Sequence, residues 1–165
     1  MNTEETTSTI HDWLAGRLPA DWFSSYEVIV DREEILIHGT IGTPEPDSDE
    51  ARSGRITRFR EETRQARIEI ARELEARADR HVAWAVTCGD TSIPFTRLSV
   101  PVMTRLAQPQ RRVLDTLVEA GVAKSRSDAL AWCVRLVEQH EADWLAELDD
   151  AMSAVRQARA KGPRA

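Results

Sequence analysis

Two cysteines and four histidines carry the nucleophile and metal-ligand chemistry of this 165-residue chain. A nucleophile needs a base and an orienting group close to it in space. Cys88 closes an alternating run beside Gly89-Asp90, and His38 closes another beside Gly39. If those runs are neighbouring strands, Cys88 and His38 meet at one sheet edge as a thiol–imidazole pair. Cys133 falls inside an apolar helical pattern, where a free cysteine acts as a small apolar group. His140 beside Glu141 reads as a helix-surface pair, and His11 and His81 complete the set. No CxxC and no Cys/His ligand spacing occurs, so no zinc site is expected. There is no glycine-rich phosphate loop and no HExxH. The expectation is a protein without enzyme activity, metal or cofactor.

Electrostatics offers the other chemistry. The net charge is −6, which is not the balance of a generic nucleic-acid binder. The charge is unevenly spread. Residues 1–94 hold 11 Lys and Arg against 19 Asp and Glu, whereas residues 95–165 hold 11 against 9. Between 96 and 126 the cations are Arg97, Arg105, Arg111, Arg112, Lys124 and Arg126, opposed only by Asp115 and Glu119. That local excess of +4 would double in a dimer and suits a DNA-facing surface.

The elements that must carry these groups follow from periodicity. Residues 1–9 are polar and read as unstructured. Residues 10–18 suit a short helix with Trp13 and Leu14, followed by a turn that packs Trp22 and Phe23 as core aromatics. Residues 26–30 and 35–41 read as strands of a hairpin across Asp31-Arg32-Glu33-Glu34. After a Pro/Asp/Ser loop at 42–50, one long helix spans about 50–78. Its apolar face carries Ile56, Phe59, Thr63, Ala66, Ile70 and Leu74, and its other face is dense in Arg and Glu. Val82, Trp84, Val86 and Cys88 alternate in a third strand, and residues 93–100 offer a fourth, limited by Pro94 and Pro101. The expected class is α+β. A small antiparallel sheet with one long helix occupies residues 10–95, and a helical region occupies 98–160. The N-terminus has no signal-peptide pattern and no apolar run reaches membrane-spanning length, so a cytoplasmic location is expected, with no membrane partner. The excess of arginine over lysine suits a GC-rich bacterial genome.

The most ordered stretch is VMTRLAQPQRRVLDTLVEAGVAKSRSDALAWCVRLV, residues 102–137. It reads as a short strand over 102–106 and a helix opening near Pro109 with Val113, Leu114, Leu117 and Val118 on one stripe. A stop follows at Gly121. A second helix begins with Ser127 as N-cap. Leu130, Val134 and Val137 continue that helix, and Trp144, Leu148, Met152 and Val155 extend the stripe. It runs unbroken to about residue 160 or bends near His140, and Gly162-Pro163 ends it.

This order and spacing resembles the ribbon-helix-helix family of Arc, CopG and ParD type, over about a quarter of the chain. The resemblance implies an obligate homodimer, whose two strands pair antiparallel and enter the major groove of double-stranded DNA. By the same resemblance Arg105 and Met103 face the bases. Ser125, Arg126 and Ser127 clamp a phosphate at the second helix N-terminus, and Lys124, Arg111 and Arg112 add backbone attraction. Met103 and Pro101 stand where such proteins place polar readers. The implied function is a homodimeric transcriptional regulator. The alternative is a protein- or RNA-binding module, ribosome-associated or antitoxin-like, that uses the motif only to dimerise. In either case the N-terminal part is free to bind a protein partner.

Overall fold

A computed structural model describes residues 3–161 and divides the chain into two compact units, residues 1–101 and 102–165. The division falls a few residues after the boundary expected near 95–98.

The first unit is built around four strands in the order β1-β2-β3-β4, with β1 at Ser25–Val30, β2 at Glu34–Ile41, β3 at His81–Cys88 and β4 at Thr91–Pro94. The first hairpin is as expected. The Asp31 carboxylate accepts from the backbone N–H of Glu33 and Glu34, at 2.8 and 2.7 Å, and so closes the turn. β1–β2 and β3–β4 are antiparallel, but β2 and β3 are parallel in register from Glu34↔His81 to Ile41↔Cys88. The class is the expected α+β, and the sheet is mixed rather than antiparallel. The reason lies in the connection, since strands joined by a long helical crossover return parallel. The sequence HVAWAVTC suits that central place: Ala83 and Ala85, between the larger residues, are buried as well.

Three helices pack on one face of this sheet: α1 at Thr3–Arg17, α2 at Asp49–Glu62 and α3 at Arg64–Ala78. Ile10 and Leu14 from α1, Ile56 and Phe59 from α2, and Ile70 and Leu74 from α3 meet Ile35, Ile37, Val82, Trp84 and Val86. α1 starts earlier than the polar stretch 1–9 suggested, because Ile10 and Leu14 anchor it; residues 1–2 lie outside the described residues. The expected single helix over 50–78 is two. Thr63 sits between them with φ −95° and ψ 0°, and its hydroxyl donates back to the Phe59 carbonyl at 2.6 Å. Such back-bonding bends a helix. Arg67 fills the break, with Nε on Thr63 Oγ1 at 3.0 Å and an Nη on the Arg60 carbonyl at 2.8 Å. The fourth strand stops at Pro94 rather than continuing to 100, and residues 96–107 belong to no helix or strand.

In the second unit α4 spans Gln108–Glu119, α5 Arg126–His140 and α6 Ala142–Ala160. Pro109 lies in the first turn of α4 as expected. Gly121 has φ +74°. Its N–H reaches the Val118 carbonyl and the Val122 N–H reaches the Leu117 carbonyl, each at 3.0 Å, the pairing of a Schellman stop. The N-cap of α5 is Ser125, not Ser127: Ser125 is extended, and its Oγ accepts from the Asp128 N–H at 3.2 Å. Asp128 answers by accepting from the Lys124 N–H at 2.9 Å, which selects Ser125 over Ser127. Of the two paths open for the last helix, the chain takes the break, with Glu141 at φ −119° and ψ 26°. The expected stop at Gly162-Pro163 lies outside the described residues.

Two stability predictions follow from these contacts. A Cβ on Gly39 would collide with the Phe23 ring, so Gly39→Ala should lower the urea-unfolding free energy by about 1–3 kcal/mol, and Phe23→Leu in the same chain should recover part of it. Ser125→Ala should cost roughly 1 kcal/mol in the same measurement, while Ser127→Ala stays within about 0.5 kcal/mol.

Candidate nucleic-acid interface

Of the basic residues singled out in sequence, Arg97 lies in the first unit, and the others lie on three stretches of the second: the segment 102–107, which is neither helix nor strand, the first two turns of α4 and the entry to α5. Gln108 and Pro109 open α4, which places Arg111 and Arg112 in its first two turns. The Schellman turn and the Ser125 cap direct the chain into α5, bringing Lys124, Ser125, Arg126 and Ser127 to that helix's N-terminus.

The side chains differ in what they have free. Met103 is 96% exposed, and Arg105 and Arg112 are exposed with no hydrogen-bond partner among the described residues. Arg111 donates to the Leu106 carbonyl at 2.7 Å, which ties the extended segment to α4 while most of its guanidinium stays in solvent. The Lys124 ammonium has no partner among the described residues, and its backbone N–H is engaged by Asp128. Ser125 spends an oxygen lone pair on its cap and retains its O–H as a donor. Ser127 is exposed.

Arg126 is otherwise engaged. Its Nε and an Nη grip both oxygens of Asp115 at 2.6 and 2.8 Å, a bidentate pair from α5 to α4. The guanidinium holds the Asp115 carboxyl below its usual range, and the carboxylate raises the Arg126 pKa in turn. Arg126 therefore fixes the angle of the two helices and offers a phosphate only its outer edge.

Residues 102–106 form no strand, contrary to the expected ribbon. An extended segment needs a neighbour for its ladder, and the single chain supplies none here. Met103 and Arg105 are thus both in solvent, without a sheet to assign them a common face.

Exposure in the second unit is its other notable property. Its core consists of Leu114, Ala123 and Ala129, with Leu106, Leu117, Val118, Leu130 and Cys133 packed around them. Outside that small core, Val113, Val122, Val134 and Val137 are about half exposed or more, as are Trp144, Met152 and Val155 on α6. Val134 reaches 63%.

The Cys88–His38 pair that neighbouring strands would have allowed is not formed. Register pairs His38 with Ala85 and Ile41 with Cys88, so alternation sends the two side chains to opposite faces of the sheet. Cys88 is fully buried, its thiol directed to the Gly42 carbonyl, and burial raises its pKa. His38 Nε2 instead lies 2.8 Å from Thr87 Oγ1 and 3.3 Å from Ser92 Oγ, with Thr87 and Ser92 3.1 Å apart. This hydroxyl–imidazole cluster was not legible in the sequence. Thr87 directly precedes Cys88, so an alternating strand must show one or the other to His38; the parallel register decides which.

Among the described residues no group of three His, Cys, Asp or Glu side chains is placed to hold a metal, and no helix is long and apolar enough to cross a membrane.

Two family models match the chain. Residues 8–94 match the N-terminal domain of Rv1265-like proteins, and residues 107–159 match the Mb1296 C-terminal domain. The matches meet the two units and leave the segment 95–106 between them. A ribbon-helix-helix model is not among the matching families. Two relatives, Rv1265 of Mycobacterium tuberculosis and Mb1296 of Mycobacterium bovis, are each 56% identical over 156 residues, covering 92% of this chain and 69% of the relative. Both carry the description "uncharacterized protein". No solved structure matches. With more than half its length under the N-terminal model and both relatives this similar, the chain belongs to the Rv1265-like family.

Proposed function

We propose that this protein is a homodimeric DNA-binding regulator in which the second unit both dimerises and contacts DNA. One observation carries the reading. A unit whose described core is three buried residues, two of them alanines, leaves a row of large apolar side chains in water, in a region where the Arg105, Arg112 and Lys124 side chains have no partner among the described residues. A core that small rarely stabilises a unit alone, and a second copy laid on the Val113, Val134 and Val137 face supplies the missing burial. Pairing of two segments 102–106 would complete the ladder that a single chain lacks. It would also set Arg105 beside its counterpart on a ribbon that fits the major groove. Arg111, Arg112, Lys124 and the Ser125 hydroxyl then meet phosphates. We place the protein in the cytoplasm, where its DNA target would be.

A second reading has its own observation. Arg126 is committed to Asp115, and Met103 has no polar group for a base edge. On that reading the unit dimerises and the bound partner is a protein or an RNA.

Two measurements decide. In sedimentation, the chain should run as a two-chain species and Val134→Glu should shift it to one chain. On DNA recovered with the protein from cells, Arg105→Ala should weaken binding by roughly 1–3 kcal/mol, the range for a lost bidentate guanine contact. Lys124→Ala should flatten the salt dependence by about one phosphate contact. Unchanged affinity and salt slope for Arg105→Ala would sink the DNA reading. A dimer that recovers no DNA would support the second one.

A further inference from the structure

The last helix, α6, carries an apolar row that no core of the described residues takes up. Leu145, Leu148, Met152 and Val155 are between 39% and 52% exposed and belong to neither hydrophobic cluster. Their spacing is three, four and three residues. That is the alternation of a and d positions in a coiled-coil heptad, so the four side chains form one straight seam about 15 Å long on the helix.

The seam is self-complementary. Turned end over end, Leu145 falls at the height of Val155 and Leu148 at the height of Met152. A two-fold axis asks this of a surface that meets its own copy, with residue i on residue j and j on i. Two antiparallel α6 helices would stack an a residue on a d residue in every layer, all of them apolar. Apolar layers alone do not fix the direction, since a parallel pair would bury the same four residues. The flanks do. A parallel pair sets the e position of one helix against the g position of the other. Here the e positions are Asp149 and Arg156 and the g positions are Trp144 and Ala151, so neither charge would find an opposite one. An antiparallel pair sets e against e, and Asp149 and Arg156 of one helix then flank Arg156 and Asp149 of the other. Within the chain, Arg156 already leans back along α6, an Nη lying 3.7 Å from the Asp149 carboxylate. That lean carries the guanidinium toward the middle of the seam, where Asp149 of a second copy would arrive from the opposite side. The Asp149 side chain is 84% exposed and open to such a contact.

We propose that α6 pairs antiparallel with α6 of a second copy of this chain, about an axis level with Asp150. Leu145 packs on Val155 and Leu148 on Met152, and two Asp149 and two Arg156 side chains form a flank of four charges. Exposed ion pairs of this kind set direction and register more than strength. The inference rests on the two-chain reading above and adds to it the surface and direction of a further contact.

The test is disulfide cross-linking under a mild oxidant, in the full-length protein carrying Cys133→Ala, which leaves only the buried Cys88 thiol. Leu145→Cys chains mixed with Val155→Cys chains should give a linked two-chain band, because residues facing each other in one layer lie within disulfide reach. Either chain alone should link about tenfold less. A second measurement moves the charges. Asp149→Arg and Arg156→Asp each break the pair inside the chain. Each should weaken self-association about threefold or more in sedimentation, and an equal mixture of the two should recover it, since only contacts between chains are then restored. Leu145→Cys linking to itself would mean a parallel pair and overturn the proposal, as would a mixture of charge variants no better associated than its parts. A protein that sediments as two chains without any linkage through α6 overturns the proposal and leaves the dimer through the Val134 face standing. A single chain at every concentration overturns both.

Discussion

The parallel pairing of β2 and β3 is the constraint on which the first unit depends. Strands that run the same way in one sheet cannot be joined by a turn, so the chain from Gly42 to Arg80 must cross over. α2 and α3 make that crossing and land on the same face as α1, and the core is what lies between. The same register decides which groups meet. It puts Thr87 and Ser92 beside His38 and sends Cys88 into the core.

The second unit obeys a different limit. Among the described residues its buried core is Leu114, Ala123 and Ala129, and two of the three are alanines. What holds α4 to α5 is mostly local: the Schellman stop at Gly121, the Ser125 cap and the bidentate Arg126–Asp115 pair. These fix an angle between helices without burying much surface, and exposed ion pairs contribute little to stability. The apolar stripe on α5 and α6 is left facing water, which is the strongest physical argument for a second copy.

Two arginines illustrate how differently one side chain can be used. Arg126 has a complete partner in Asp115 and acts as a strut. Arg80 has no carboxylate partner among the described residues, and its Nε is sealed from solvent. By type alone Arg126, inside a helix-entry motif, looked like the ligand-binding residue, and Arg80, in a turn, did not stand out. The distinction is made by the groups around each one.

Local order was legible from the residues. The first hairpin, Pro109 in the opening turn of α4, Gly121 at its end and the apolar stripes of α3, α4 and α5 all follow from periods of two and 3.6 and from the demands of turns. So does the α+β class. Where short-range chemistry offers two answers, sequence alone could not choose between them. The sequence reading chose Ser127 as the cap, and the bonds of Asp128 with Ser125 and Lys124 select Ser125 instead. A long helical stripe over 50–78 reads the same whether or not Thr63 bends it. Strand direction has no local signature, so the parallel pair and the opposite faces of His38 and Cys88 were decided by tertiary structure. Each depends on groups far apart in the chain being brought together, and the hydrogen bonds that settle them exist only after the crossover has closed.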